Sequence, residues 1–413
     1  MSIIHDYRLT HCSMKILTYL LYYRGMTALQ LTQMYYEVQW PLSTQKSSIH
    51  NYLSKLKKQG LVVSKKVNDP LHPGLLYWLT AKGLETAKVL LNIEIGAIGN
   101  GYIYSLDNQY ESQADLPYEI YAPPRKQVEH HLSLIDFFNT LRWNFFDDEY
   151  IPHRLSMYCS VEYPDGQKQA KIRPDAEIVL PNGDVYWIEM DKSTEDHSKL
   201  LNKFYNYKHY FDYLKENKLP LSLKGILFVT DTKQHEGGLK RRWSSILSAF
   251  LKVMDQDDVG VRLLFTPMNK LEKTLRFEMQ RNALEDTARH YLATVLILDD
   301  YTDVYRYNKV TTKDLWYAFA VNKHAYKIIY VNISNTFDSS AYTNFQQFLK
   351  YEPNIKKKDE VRKLTFQCIE QIIFYQDDPP PLIKQLHGTE SNIKIEDMLK
   401  QLSINLEFVE LID

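Results

Sequence analysis

The chain reads as an α/β protein, α+β overall, made of three successive folded parts, and three observations carry that prediction. Helical periodicity over residues 14–58 gives way to two short strand-like segments at 61–79. A strand-turn-strand with Pro181-Asn182-Gly183 at its apex stands near the middle of the chain. Beyond it, strand-length apolar runs alternate with amphipathic helices, which is the α/β order of a mixed sheet.

At 413 residues, 44% of them hydrophobic, the chain can bury two or three cores. Its longest apolar runs, such as Ile226 to Val229 and Ala293 to Leu298, have strand length, and charges stand where a signal peptide would be apolar. A soluble, cytoplasmic protein without a membrane segment is expected. The three cysteines, Cys12, Cys159 and Cys368, are far apart and odd in number, against both a disulfide framework and a cysteine-based metal site. The net charge of −1 hides an asymmetry: residues 1–95 hold 11 Lys+Arg against 5 Asp+Glu, a basic module on an acidic remainder.

Met14 to Tyr23 is an apolar helix. Thr27-Ala28-Leu29-Gln30 is a capping box, Thr at the N-cap and Gln at N3, opening a second helix through Met34. A third runs from near Ser43 to Lys58, with Ile49, Leu53 and Leu56 inward and a polar outer face, and Gly60 closes it. Leu61 to Lys66 and Leu75 to Leu79 then form a wing, and Thr80 to Gly83 starts another helix. This order predicts a winged helix-turn-helix over 1–95. In such a fold the third helix enters the major groove. Gln45, Lys46, His50 and Asn51 are expected to reach base edges or phosphates, while Lys55, Lys58, Lys65 and Lys66 hold backbone. A winged helix used only for dimerisation or protein docking is the alternative.

Residues 96–124 are rich in Gly, Asn and Tyr, end in Pro123-Pro124 and read as a linker. A helix from about Arg125 to Phe146 follows, with Val128, Leu132, Ile135 and Phe138 on one side and Glu129, Ser133 and Asp136 on the other. Next come a strand near Ser156 to Tyr163, the central hairpin Lys171 to Lys192, and a helix from about Thr194 to Glu216 whose buried stripe is Leu200, Phe204, Tyr207, Phe211 and Leu214. A strand at Lys224 to Thr230, a helix at Leu239 to Val253 and a strand at Val261 to Phe265 complete a domain over 125–270.

The hairpin turn sets its own register. A three-residue loop with Gly183 at positive φ puts Leu180 opposite Asp184, and counting outward Glu177 faces Trp187, Asp175 faces Glu189 and Arg173 faces Asp191. Ala176, Ile178, Tyr186, Ile188 and Met190 then share an apolar face. Arg173, Asp175, Glu177, Glu189 and Asp191 share the other. Facing carboxylates need a cation, a buried Arg or a shared proton, and Mg²⁺ is the natural hard cation for such a pair. A solvated polar face with Arg173 bridging Asp191 is the competing account.

The order helix, strand, Arg173-Pro174-Asp175, turn, Glu189-Met190-Asp191, helix resembles the PD-(D/E)xK nuclease fold. Together with the winged helix it resembles the replication-relaxation family of plasmid and mobile-element proteins. The resemblance covers residues 10–270, and His130-His131-Leu132 and Lys203 with Tyr207 are its other specific parts. It implies double-stranded DNA binding linked to replication, relaxation or conjugative transfer, with replication or transfer proteins as partners and a homodimer as an open alternative. It also implies a catalytic set of Asp175, Glu189, Asp191 and Lys203, with Asp175 and Glu189 holding Mg²⁺ if the domain cleaves. One departure stands out: the lysine expected two residues after Glu189 is Asp191, so Lys203 or Lys192 supplies the positive charge, or the fold is a non-catalytic scaffold for an accessory factor or transcriptional regulator.

Residues 271–413 lie outside the resemblance and read as a small C-terminal α/β domain. Strands are expected at Ala293 to Leu298, Lys327 to Ile333 and Leu406 to Leu411, and helices at Lys313 to Ala320, Asn344 to Lys350, Asp359 to Tyr375 and Glu396 to Leu402. No HExxH, no Cys/His zinc spacing and no Gly-rich phosphate loop occurs, so neither zinc chemistry nor ATP hydrolysis is indicated.

Overall fold

The computed structural model describes residues 2–4, 7–93, 117–156, 158–166, 168–192, 196–230, 236–254, 260–298, 303–307, 317–355, 361–381 and 389–410. The fold is mixed α/β and divides into two compact units, one of residues 1–192 with 213–223 and one of 193–212 with 224–413. The residues expected to form a winged helix and the central hairpin therefore belong to one unit, and neither of the boundaries expected near 95 and 270 coincides with the division.

In the first unit, β1 (Ser2–Ile4) and β2 (Tyr7–Leu9) pair antiparallel ahead of α1 (His11–Tyr23). Then come β3 (Met26–Thr27), α2 (Ala28–Tyr36), α3 (Ser43–Lys58), β4 (Val62–Val67), β5 (Gly74–Leu79) and α4 (Ala81–Leu90), with the three strands in the order β3-β5-β4. The capping box forms as its residues dictate: the Thr27 hydroxyl accepts the Gln30 N–H and Gln30 Oε1 accepts the Thr27 N–H. On α3, Ile49, Leu53 and Leu56 are buried, and Gly60 takes φ 73° beyond its end. A Cβ on Gly83 would lie 1.9 Å from the Leu61 carbonyl oxygen, so only glycine lets α4 start against the backbone just ahead of β4.

The end of the expected linker is folded: α5 (Tyr118–Tyr121) is a single turn with Ile120 and Tyr121 buried, and the Tyr118 hydroxyl donates to the Leu79 carbonyl at 2.8 Å. Most of that linker lies outside the described residues. Next, α6 (Val128–Asn144) buries Leu132, Ile135 and Phe138 as expected and also Leu134, Phe137 and Leu141, so it is covered on more than one side. The strand expected over 156–163 is two strands instead, β6 (His153–Leu155) and β7 (Val161–Asp165), because the Tyr158 N–H turns back to the Leu155 carbonyl at 2.7 Å. The first arm of the hairpin is also divided, into β8 (Lys168–Ile172), which pairs with β7, and β9 (Ala176–Val179). Between them Pro174 has no N–H to give a ladder. With β10 (Val185–Asp191) the unit holds the antiparallel order β6-β9-β10.

Most of α7 (His197–Glu216), to Asp212, belongs to the second unit. There β11 (Leu223–Thr230), α8 (Glu236–Val253) and β12 (Arg262–Pro267) follow the expected strand-helix-strand order, with β11 and β12 parallel. Next come α9 (Leu271–Leu298), β13 (Asp303–Tyr307), β14 (Tyr317–Val321), β15 (Ala325–Ser334), α10 (Ser340–Ile355), β16 (Thr365–Tyr375), β17 (Thr389–Lys394) and α11 (Ile395–Glu410). The five strands pair in sequence order, antiparallel to β15 and parallel beyond it. Alternation sorts their side chains: Ile329, Val331 and Ile333 pack with Tyr291 of α9 and Met398 of α11, while Ile328 and Tyr330 pack with Phe345 and Phe348 of α10.

Four sequence expectations in this unit are corrected. Residues 293–298 end the long helix α9, 317–320 lie in strand β14, 365–375 form β16 rather than the end of a helix, and 406–410 end helix α11. The physical reason is shared: short apolar runs fit a buried strand or a buried helix equally, and pairing partners far along the chain decide between them.

Candidate nucleic-acid interface and the carboxylate hairpin

The outer face of α3 has the composition the sequence predicts. Lys46, His50, Asn51, Lys55 and Lys58 are exposed, as are Lys65 and Lys66 on β4. No carboxylate occurs anywhere in α3. Lys57 Nζ donates to Ser64 Oγ at 2.9 Å and ties the helix to the wing. Gln45 departs from expectation: it is half-buried, and its Oε1 accepts the Leu42 N–H at 2.7 Å, so this side chain caps the helix at the N3 position. The sequence reading passed over Trp40 and Leu42, both strongly exposed just before the helix.

The wing is anchored at its loop. His72 is buried between two carboxylates, with Nδ1 2.5 Å from Asp69 Oδ2 and Nε2 2.6 Å from Asp136 Oδ2 on α6. Burial by itself would lower the His72 pKa, but the hydrogen bonds and charges of Asp136 and then Asp69 outweigh it and hold the pKa above the ordinary value. Asp136 Oδ1 accepts in turn from Gln30 Nε2 at 2.7 Å, and the same Nε2 donates to the Leu132 carbonyl at 2.9 Å. On the neighbouring turn His131 is buried against the Gly25 carbonyl at 2.9 Å, and burial lowers its pKa to about 4. It is a neutral core histidine.

The hairpin has the expected register. Leu180 N–H donates to the Asp184 carbonyl, Gly183 takes φ 85°, and Trp187 faces Glu177. Asp175 N–H donates to the Ile188 carbonyl, and Asp175 Oδ2 accepts the Met190 N–H at 2.9 Å. These two bonds bracket Glu189 and set it beside Asp175. The polar face is only partly solvated: Glu177, Glu189 and Asp191 are buried, Asp175 is half-buried and Arg173 is exposed. Arg154 of β6 reaches Glu177 Oε1 through Nε and Nη2, at 3.1 and 2.5 Å, and the Trp187 indole N–H donates to Glu177 Oε2 at 3.2 Å. Burial pushes the Cys159 thiol well up, and the charges of Glu177, Asp175 and Glu189 add to that while Arg154 opposes it.

A residue the catalytic expectation missed is His130, whose Nε2 lies 3.0 Å from Asp175 Oδ1. Both oxygens of Asp175 are thereby engaged. Glu129, one residue away, is exposed. Lys192 is half-buried and its charge helps to lower the pKa of Asp69, whose largest single influence, burial, acts the other way. Lys203 lies on α7 with Nζ 5.6 Å from the centre of the Phe228 ring. Asp175 and Glu189 match Mg²⁺ in donor type, one carboxylate just ahead of β9 and the other on its neighbour β10, provided His130 releases Oδ1. Among the described residues no three His, Cys, Asp or Glu side chains converge as they would around a metal ion, and no helix is long and apolar enough to cross a membrane. Comparison with protein-family models, curated proteins and solved structures returns no match, so the functional reading rests on these residues.

Proposed function

We propose that the chain is a double-stranded DNA-binding protein that engages duplex through α3 and β4. The observation that carries this reading is the solvent-exposed surface of α3 and β4, which carries Lys46, Lys55, Lys58, Lys65 and Lys66 with no carboxylate on the helix. On the resemblance drawn from the sequence, it acts in replication, relaxation or conjugative transfer of a plasmid or other mobile element. The hairpin serves as a scaffold in this reading, supported by the burial of Glu177, Glu189 and Asp191 and by the engagement of both Asp175 oxygens. Full-length protein should bind duplex with a steep salt dependence. The double variant Lys65→Ala, Lys66→Ala should weaken binding on every sequence and flatten the log–log salt slope by about 2, at roughly 0.9 per phosphate contact. A slope unchanged by the two substitutions would remove β4 from the interface.

A second reading, a Mg²⁺-dependent endonuclease, is favoured by the side-by-side placement of Asp175 and Glu189. Those two carboxylates would hold the ion, Asp191 would sit beside them, and Lys192 would supply positive charge. Bound Mg²⁺ would contribute a water of lowered pKa and charge neutralisation at a phosphate. Supercoiled plasmid incubated with the protein in Mg²⁺ separates the readings: nicking that Asp175→Ala abolishes supports the enzyme, and binding without nicking supports the scaffold.

A further inference from the structure

The turn that leads into α3 carries two apolar side chains exposed to solvent. Trp40 is 82% exposed and Leu42 66%. The backbone that carries them is fixed: Pro41 between them is buried, and the Leu42 N–H is held by Gln45 at 2.7 Å. A large indole so exposed, beside a second apolar residue, marks a surface for binding rather than for solvent. Its surroundings limit the choice of occupant. The helix that follows contributes Lys46, Lys55, Lys57 and Lys58 and no acid, a charge pattern complementary to a polyanion.

Resting on the DNA-binding reading, we infer that Trp40 and Leu42 contact the duplex itself, entering the major groove beside the N-terminal end of α3 and packing on thymine C5-methyl groups. The thymine methyl is the apolar group that groove displays, and it is the one feature there that hydrogen-bonding side chains such as His50 and Asn51 cannot read. The cations hold the phosphates, so the two contributions differ in kind. Phosphate contacts carry the salt dependence and are indifferent to sequence; the Trp40 and Leu42 contacts are independent of salt and select thymine. The preferred sites are therefore T-containing at the positions next to the start of α3.

The test uses the full chain to select binders from a randomised duplex pool, then compares each selected duplex with the same sequence made with deoxyuridine for thymidine. That exchange removes methyl groups and leaves every hydrogen-bonding group in place. The wild type should lose roughly fourfold in affinity per contacted methyl. The double variant Trp40→Ala, Leu42→Ala should bind both forms alike while keeping the wild-type salt slope, and it should melt with the wild type, because both side chains are exposed. Equal wild-type affinity for the two forms overturns the inference and leaves the DNA-binding reading intact. Discrimination that survives in the double variant overturns it too, by assigning the methyl contact to other residues. A pool from which nothing is selected removes the DNA-binding reading and this inference together.

Discussion

Replacing His72 with alanine should loosen the wing from α6 and change how stability depends on pH. The histidine makes two short contacts to carboxylates, and its side chain is only 8% exposed. A hydrogen bond to a charged group contributes about 1.5–3 kcal/mol, with the low end fitting half-exposed Asp136 and the high end fitting buried Asp69. Their combined loss is about 4.5 kcal/mol. For a unit of this size, at about 3 °C per kcal/mol, the melting temperature should fall by about 13 °C. The sign with pH follows from the raised pKa: His72 contributes its full stabilisation below the unfolded value near 6.5 and loses it as pH rises through the higher folded value. Above that point a neutral imidazole can donate to only one carboxylate and turns a lone pair toward the other. Denaturant titrations of the wild type and His72→Ala at pH 6 and pH 9 measure both effects. If the variant loses less than about 1 kcal/mol at pH 6, or if the two proteins share one pH slope, the wing is not held by this contact.

Two other perturbations follow from buried groups of unit one. His131 is buried and His153 half-buried, each with its pKa lowered to about 4 by desolvation, so the unfolded chain binds their protons first; stability is full above about pH 6.5, falls as pH drops toward 4, and each contributes on the order of 3 kcal/mol. Acid unfolding of His153→Phe, a ring that can stack on Phe138 and Tyr23 as His153 does, should therefore be shallower than the wild type's; an unchanged acid limb would assign the transition to other groups. Arg154→Met removes the guanidinium from buried Glu177 and should cost about 3–5 kcal/mol at pH 7, whereas Arg154→Met with Glu177→Leu should recover most of it, and a double-mutant cycle without coupling would refute the pairing.

What the sequence made legible was local. The Thr27 capping box, the spacing of Ile49, Leu53 and Leu56, and Asn182-Gly183 each specify their geometry within a few residues, and each is found as read. The adjacency of Asp175 and Glu189 was legible for the same reason, since a tight turn counts its own register. His130, by contrast, meets Asp175 from a different element, and His72 meets Asp136 across 64 positions, with no periodicity to announce either. Strand β16 was read as a helix because Thr365 to Tyr375 owes its conformation to β15 and β17 on its flanks, partners that composition does not name.

Gln30 has a consequence for how this molecule can be taken apart. One amide both starts α2, through its oxygen on Thr27, and grips α6, through its nitrogen on Leu132 and Asp136. The helices of the first 95 residues are thus positioned against an element that lies beyond the connecting segment, and they do not form a detachable cassette. Grafting residues 1–95 onto another protein would strand the amide nitrogen of Gln30 and bare the flank of α2 that packs on α6. A transplant would have to carry α6 along, and α6 in turn meets Asp175 through His130, so the piece that can be moved intact is the first compact unit as a whole rather than a segment that ends at the linker.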